Sequence, residues 1–148
     1  MHRCYGIALA FFLIHSTVEA APVDYVHQVK PLFEAKCFGC HGAVRQQSGL
    51  RLDAASLIRE GGDRGPAIVP GDSEASLLIR AVVGDGDVER MPPEDEGTEL
   101  SDAEVALLAT WIDEGANAPD EPVPPRPDEH WAFQSPSSSV ALPSVLET

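Results

Sequence analysis

Cysteine, methionine and histidine are scarce in this chain, and each scarcity narrows the chemistry open to it. Three cysteines, two methionines and five histidines occur among 148 residues. Four thiolates for a structural zinc are therefore excluded, as is a framework of several disulfides. Basic residues are also few, with 10 Lys and Arg against 24 Asp and Glu and a formal net charge of -14. Such a surface is repelled by nucleic acid and by anionic membranes, so neither is an expected partner, although acidity by itself names none. No apolar run approaches the ~20 residues of a membrane-spanning helix. No strand-like alternation and no internal repeat stands out.

The first twenty residues have the form of a secretory signal peptide. Arg3 gives a positive start, an apolar run extends from Ile7 to Ile14, and Val18 and Ala20 are small residues at the positions a signal peptidase reads. Cleavage after Ala20 leaves no membrane span and implies an exported, periplasmic or extracytoplasmic chain. It also shortens the inventory: Cys37 and Cys40 are the remaining cysteines, Met91 the remaining methionine, and His27, His41 and His130 the remaining histidines. The organisation expected is signal peptide 1–20, one domain over 21–118, and a Pro/Ser-rich linker or disordered tail over 119–148.

Within the domain the pattern is helical. Tyr25, Val26, Val29, Leu32 and Phe33 recur at helical spacing over residues 24–36, where Pro31 must kink the helix or begin a new one. A short helix is expected over 54–60, stopped by Gly61 and Gly62, and another over 74–83, capped by Asp72 or Ser73 and ended by Gly84. The last helix has the clearest signals. Ser101 and Glu104 form a capping box, Val105, Leu107, Leu108, Trp111 and Ile112 form the apolar stripe, and Gly115 is the stop. Loops over 42–52, 61–71 and 84–97 separate the helices. This all-α plan holds too little regular backbone to enclose a core unaided, and a large apolar nucleus would supply what is missing. In the tail, His130, Trp131, Ala132 and Phe133 form an aromatic patch in polar surroundings.

Cys37-Phe38-Gly39-Cys40-His41 has the C-x-x-C-H spacing of covalent c-type haem attachment. Two thiols on one helical turn reach the two vinyl groups along one porphyrin edge, and the next residue reaches the iron with an imidazole nitrogen. Competing readings fit less well. Zinc lacks a second cysteine pair, a thioredoxin-like pair expects a βαβ unit, and a plain disulfide leaves His41 unexplained. One covalent haem c is expected, on Cys37 and Cys40 with His41 as axial ligand. For the sixth iron position Met91 is favoured, a soft thioether on a proline-stiffened loop, with His27 and His130 as alternatives. The carbonyl of Pro66, on a Gly-Pro turn, is the expected acceptor for the other ring nitrogen of His41. Arg45, Arg51 and Arg64 are candidates for the haem propionates, and Trp111 for packing on the ring.

As an ordered set these residues resemble the planctomycete-type cytochrome c domain, a relative of the class I cytochromes c. The resemblance is carried by Val29-Lys30-Pro31-Leu32-Phe33, Cys37 to Gly42, Ser48 to Asp53, Gly65 to Gly71, Arg90-Met91-Pro92-Pro93, and Leu100-Ser101 with Trp111 to Ala116. It implies a small class I-like helical domain with long loops around one haem, His41 and Met91 as axial ligands, and electron transfer. It further implies that the segment around His130 leads, in such proteins, into larger domains that this chain does not contain.

The function expected is single-electron transfer with a redox partner protein, without enzymatic turnover. A haem enzyme, peroxidase-like or gas-binding, would need a displaceable sixth ligand. A haem-stapled interaction module attached to a larger exported protein is the third reading.

Overall fold

The structure, a computed structural model, describes residues 21–86 and 88–135. The expected signal peptide and the last part of the tail lie outside the described residues, as does Asp87. Four α-helices make up the regular structure, α1 (Lys30–Lys36), α2 (Ala55–Glu60), α3 (Leu77–Val83) and α4 (Asp102–Asp113). Among the described residues there is no β-strand, only three isolated bridges, so the fold is all-α. No helix among them is long and apolar enough to cross a membrane.

The first helical stretch divides as its proline requires. Asp24 caps it by accepting from the backbone N–H groups of Val26 and His27, at 2.9 and 3.1 Å. Tyr25–Val29 then form a wide π-helical turn in which the Lys30 N–H reaches back to the Tyr25 carbonyl. Pro31 follows in the first turn of α1, where its missing N–H costs nothing.

α3 begins three residues later than the sequence suggests, at Leu77 instead of residue 74. The buried Ser76 accounts for the delay. Its hydroxyl donates to the Asp72 carbonyl at 2.7 Å and accepts from the Val69 N–H at 2.8 Å, drawing this backbone into a turn. Asp72 caps that turn through the Ala75 N–H, not the helix itself.

α4 is as expected. The Ser101 hydroxyl accepts from the Glu104 N–H, the Glu104 carboxylate accepts from the Ser101 N–H at 2.7 Å, and Gly115 takes a left-handed conformation at φ +99°. Its Trp111 is the centre of the core, stacked on Tyr25 at 5.6 Å and edge-on to Phe33 at 6.1 Å. The loop before α3 is tied to the end of α4, where the Asp113 carboxylate accepts from both the N–H and the hydroxyl of Ser73.

Past α4 the structure departs from what composition suggests. Residues 119–124 fall in the stretch assigned to a linker, yet part of it is bound to the domain. The Glu121 carboxylate accepts from the Tyr25 hydroxyl (2.9 Å), the Ala55 N–H (3.0 Å) and the Lys30 ammonium, and the Pro124 carbonyl accepts from Arg51 at 2.7 Å. Proline content signals a chain that forms no helix. It carries no information on whether carbonyls and a carboxylate find partners elsewhere.

The capping box offers a direct test of the α4 assignment. Ser101→Ala removes the acceptor for the Glu104 N–H and is expected to cost about 1 kcal/mol, read as a lower urea midpoint at unchanged m-value.

Candidate functional site

The C-x-x-C-H segment continues the last turn of α1. The Cys37 N–H donates to the Phe33 carbonyl at 2.8 Å, and the Cys37 carbonyl accepts from both the Cys40 and His41 N–H groups, at 3.1 and 2.8 Å. Both thiols and the imidazole are thereby fixed on one turn. Gly42 must follow, because a Cβ there would lie 2.7 Å from the Phe38 carbonyl oxygen. Cys37 and Cys40 are free thiols, each partly exposed, and no disulfide joins them.

Cys37, Cys40, His41 and Met91 all line one cavity of about 240 Å3. A largely apolar concavity of that size is large enough to receive a ligand. Leu50, Leu52, Ala67, Leu78, Val82 and Leu100 give it largely apolar walls. Pro92 and Pro93 also line it, and the Met91 backbone is held by its N–H donating to the Ala81 carbonyl in α3 at 2.9 Å. Of the three candidates for a sixth iron ligand, Met91 alone lines the cavity. His27 is exposed and bonded to Asp24 at 2.7 Å, and His130 sits against Phe133 with ring centroids 6.2 Å apart.

The electrostatics suit neutral ligands. Burial pushes the Cys37 thiol up to about 12, with the nearby Cys40 adding to the shift. A thiolate for metal binding or disulfide exchange is disfavoured there, whereas an uncharged thioether tolerates the same burial. Burial likewise lowers the His41 pKa, keeping the imidazole neutral as a metal ligand must be. Among the described residues no group of three or more His, Cys, Asp or Glu is arranged to hold a bare metal ion. A haem suits this set of donors, since it brings four of its own nitrogens to the iron and asks the protein for two axial groups.

Nδ1 of His41 is buried without a hydrogen-bond partner. The carbonyls of Leu50 and Gln47 lie close enough to favour the protonated ring, partly offsetting burial, though neither meets Nδ1 in hydrogen-bond geometry. Pro66, the acceptor expected from the sequence, makes no such bond. It is exposed, and its turn serves another purpose: the Gly62 N–H donates to the Gly65 carbonyl at 3.1 Å, and a Cβ on Gly61 would lie 2.1 Å from that oxygen and 2.7 Å from the Pro66 Cα.

The segment that does face His41 was not singled out by sequence. Ser48 and Gly49 both take left-handed conformations, at φ +53° and +67°, and turn the chain back over the haem motif. The Gln47 N–H donates to the Cys40 carbonyl and the Leu52 N–H to the His41 carbonyl, at 3.0 and 2.8 Å. A Ser-Gly pair is an ordinary turn signal, and only the fold shows which ring the turn covers.

The three arginines separate clearly. Arg64 lines the cavity, Arg45 is exposed and does not line it, and Arg51 is buried in a bidentate pair with Asp53 at 2.8 and 3.0 Å. Arg51 is thus committed away from the cavity. Trp111 packs in the core and is absent from the cavity lining.

Residues 37–95 match the family model described as Planctomycete cytochrome C. Comparison with curated proteins and with solved structures finds no match.

The turn over His41 can be tested for its close approach. Gly49→Ala places a Cβ 2.5 Å from the Asp63 carboxylate as well as forcing alanine into the left-handed region. Adding Asp63→Ala should recover the steric part of the loss and leave about 1–2 kcal/mol of backbone strain, both read by chemical denaturation. A double variant no more stable than Gly49→Ala alone would show that the two segments do not touch.

Proposed function

We propose, from the premise that residues 37–95 of this chain are a planctomycete-type cytochrome c domain, that it holds one haem c covalently and passes single electrons outside the cytoplasm. The observation that carries this reading is the meeting of Cys37, Cys40, His41 and Met91 on one apolar cavity. Cys37 and Cys40 are the thioether anchors, with His41 and Met91 as the axial ligands in a class I-like arrangement. When bound, the haem supplies an iron that exchanges one electron between two stable oxidation states.

The chain's own residues supply the rest. A neutral His41 offers a nitrogen lone pair without the cost of a buried charge. Met91 offers a soft thioether that favours the reduced metal, and its bond to Ala81 and the prolines after it hold that sulfur with little entropy left to lose. The aliphatic walls exclude water and lower the local dielectric, which disfavours the more highly charged state. With both axial positions supplied by the protein, no substrate need bind the metal, and a carrier is favoured over a peroxidase or gas-binding site.

Export is supported by the signal-peptide reading of residues 1–20. The partner is a redox protein. The cavity rim carries Asp63, Glu89 and Glu96 against Lys36 and Arg64, and with a net charge of -14 the chain would attract a partner through a basic face.

Mass spectrometry of denatured exported protein should show one haem that stays attached, and Cys37→Ala or Cys40→Ala should disrupt stable attachment. In the oxidised holoprotein Met91→Ala should abolish the weak near-infrared sulfur-to-iron charge-transfer band. Met91→His should keep the metal six-coordinate but lower the potential. If Met91→Ala leaves band and potential unaltered, another group ligates the metal, His27 is the next to test, and the case for a plain electron carrier weakens.

A further inference from the structure

The binding of Glu121 and Pro124 to the domain carries more than stability. The strap they form ends on Arg51, and Arg51 belongs to the turn that covers His41. Its guanidinium donates at 2.7 Å to the Pro124 carbonyl and grips Asp53 with two further bonds. Leu50 and Leu52, the residues on either side of Arg51, both line the cavity. The Leu52 N–H donates to the carbonyl of His41 itself at 2.8 Å. A set of hydrogen bonds therefore runs from the strap, through Arg51 and its neighbour Leu52, to the backbone of the axial histidine. At its other end, Glu121 is fixed by three donors from three elements, Tyr25 in the π-helical turn, Lys30 in α1 and the Ala55 N–H at the head of α2.

We propose that the strap around Glu121 and Pro124 is a positioning element for the axial histidine, setting the orientation of His41 through Arg51 and thereby the reduction potential. The proposal rests on the haem reading above. Its physical basis is that Arg51 and Asp53 are only 8% and 4% exposed with the strap in place, so losing the Pro124 carbonyl leaves part of a buried guanidinium without its acceptor. The orientation of an axial imidazole follows the backbone that carries it, and the segment Arg51 holds is tied to that backbone by the Leu52 N–H donating to the His41 carbonyl. A partner bound to the chain after Pro124, or tension on it, is then felt at the metal.

The test uses the full-length holoprotein and two mild substitutions, Glu121→Gln at the far end of the strap and Arg51→Lys at its contact with the turn. Each should accelerate amide hydrogen exchange at Leu52 by about tenfold or more relative to the core amides of α4. Each should also shift the midpoint potential and the NMR signals of the His41 ring, although neither residue lines the cavity. If Glu121→Gln frees the Ala55 amide while exchange at Leu52 and the potential stay at their wild-type values, the proposal is wrong. It is equally wrong if all amides accelerate together and the potential does not move, for then the strap merely stabilises the fold. Should no haem be attached, the functional reading falls, and exchange at Leu52 still decides whether the strap governs the turn.

Discussion

An apolar cavity shared with the core is the constraint on which the rest of this fold depends. Leu52, Leu78 and Leu100 belong to the buried cluster around Trp111 and Phe33 and also form cavity wall. The core is accordingly one-sided, with its second face given to the site. A domain of this size with four short helices has little apolar surface to spare. Covalent attachment of a large planar group suits such an economy, since it adds apolar contact area to a chain that cannot supply its own.

The polar interactions answer the same shortage. Long loops over a small core leave many backbone groups to satisfy, and this chain does so with side chains placed at junctions. Ser76 satisfies Val69, Asp113 satisfies Ser73, and Glu121 satisfies Ala55. Burial pushes the Glu121 carboxyl up, but the Lys30 ammonium, the Ala55 N–H and the Tyr25 hydroxyl outweigh it and hold the group below its ordinary range. The Arg51–Asp53 pair is buried and bidentate, a geometry in which a buried ion pair is tolerated, and losing either partner would strand the other.

The donor chemistry of the site bears on the proposed reading and on its alternatives. Disulfide exchange wants a thiolate, and burial keeps Cys37 a thiol. A zinc site wants clustered anionic ligands, which the described residues do not assemble. What remains is a neutral imidazole and a thioether facing one apolar space, beside two free thiols on a single helical turn.

Local signals determined much of this protein. The all-α class, the capping box of α4, the break at Pro31 and the grouping of Cys37, Cys40 and His41 follow from spacing and backbone chemistry within a few residues, and no distant contact is needed to read them. Met91, the methionine that a signal-peptide reading of the first twenty residues leaves, was expected at the site by elimination, and it lines the cavity. The segment beside His41 was not, and no acceptor among the described residues bonds its Nδ1. A backbone carbonyl has no sequence signature, and the turns at Pro66 and at Ser48 look alike until the chain is folded and one of them lies over the ring. The strap was hidden for a related reason: Pro119 to Pro125 forbid a helix, which sequence reports, while the partners of Glu121 and Pro124 lie 66 to 96 residues away in the chain and only packing brings them together.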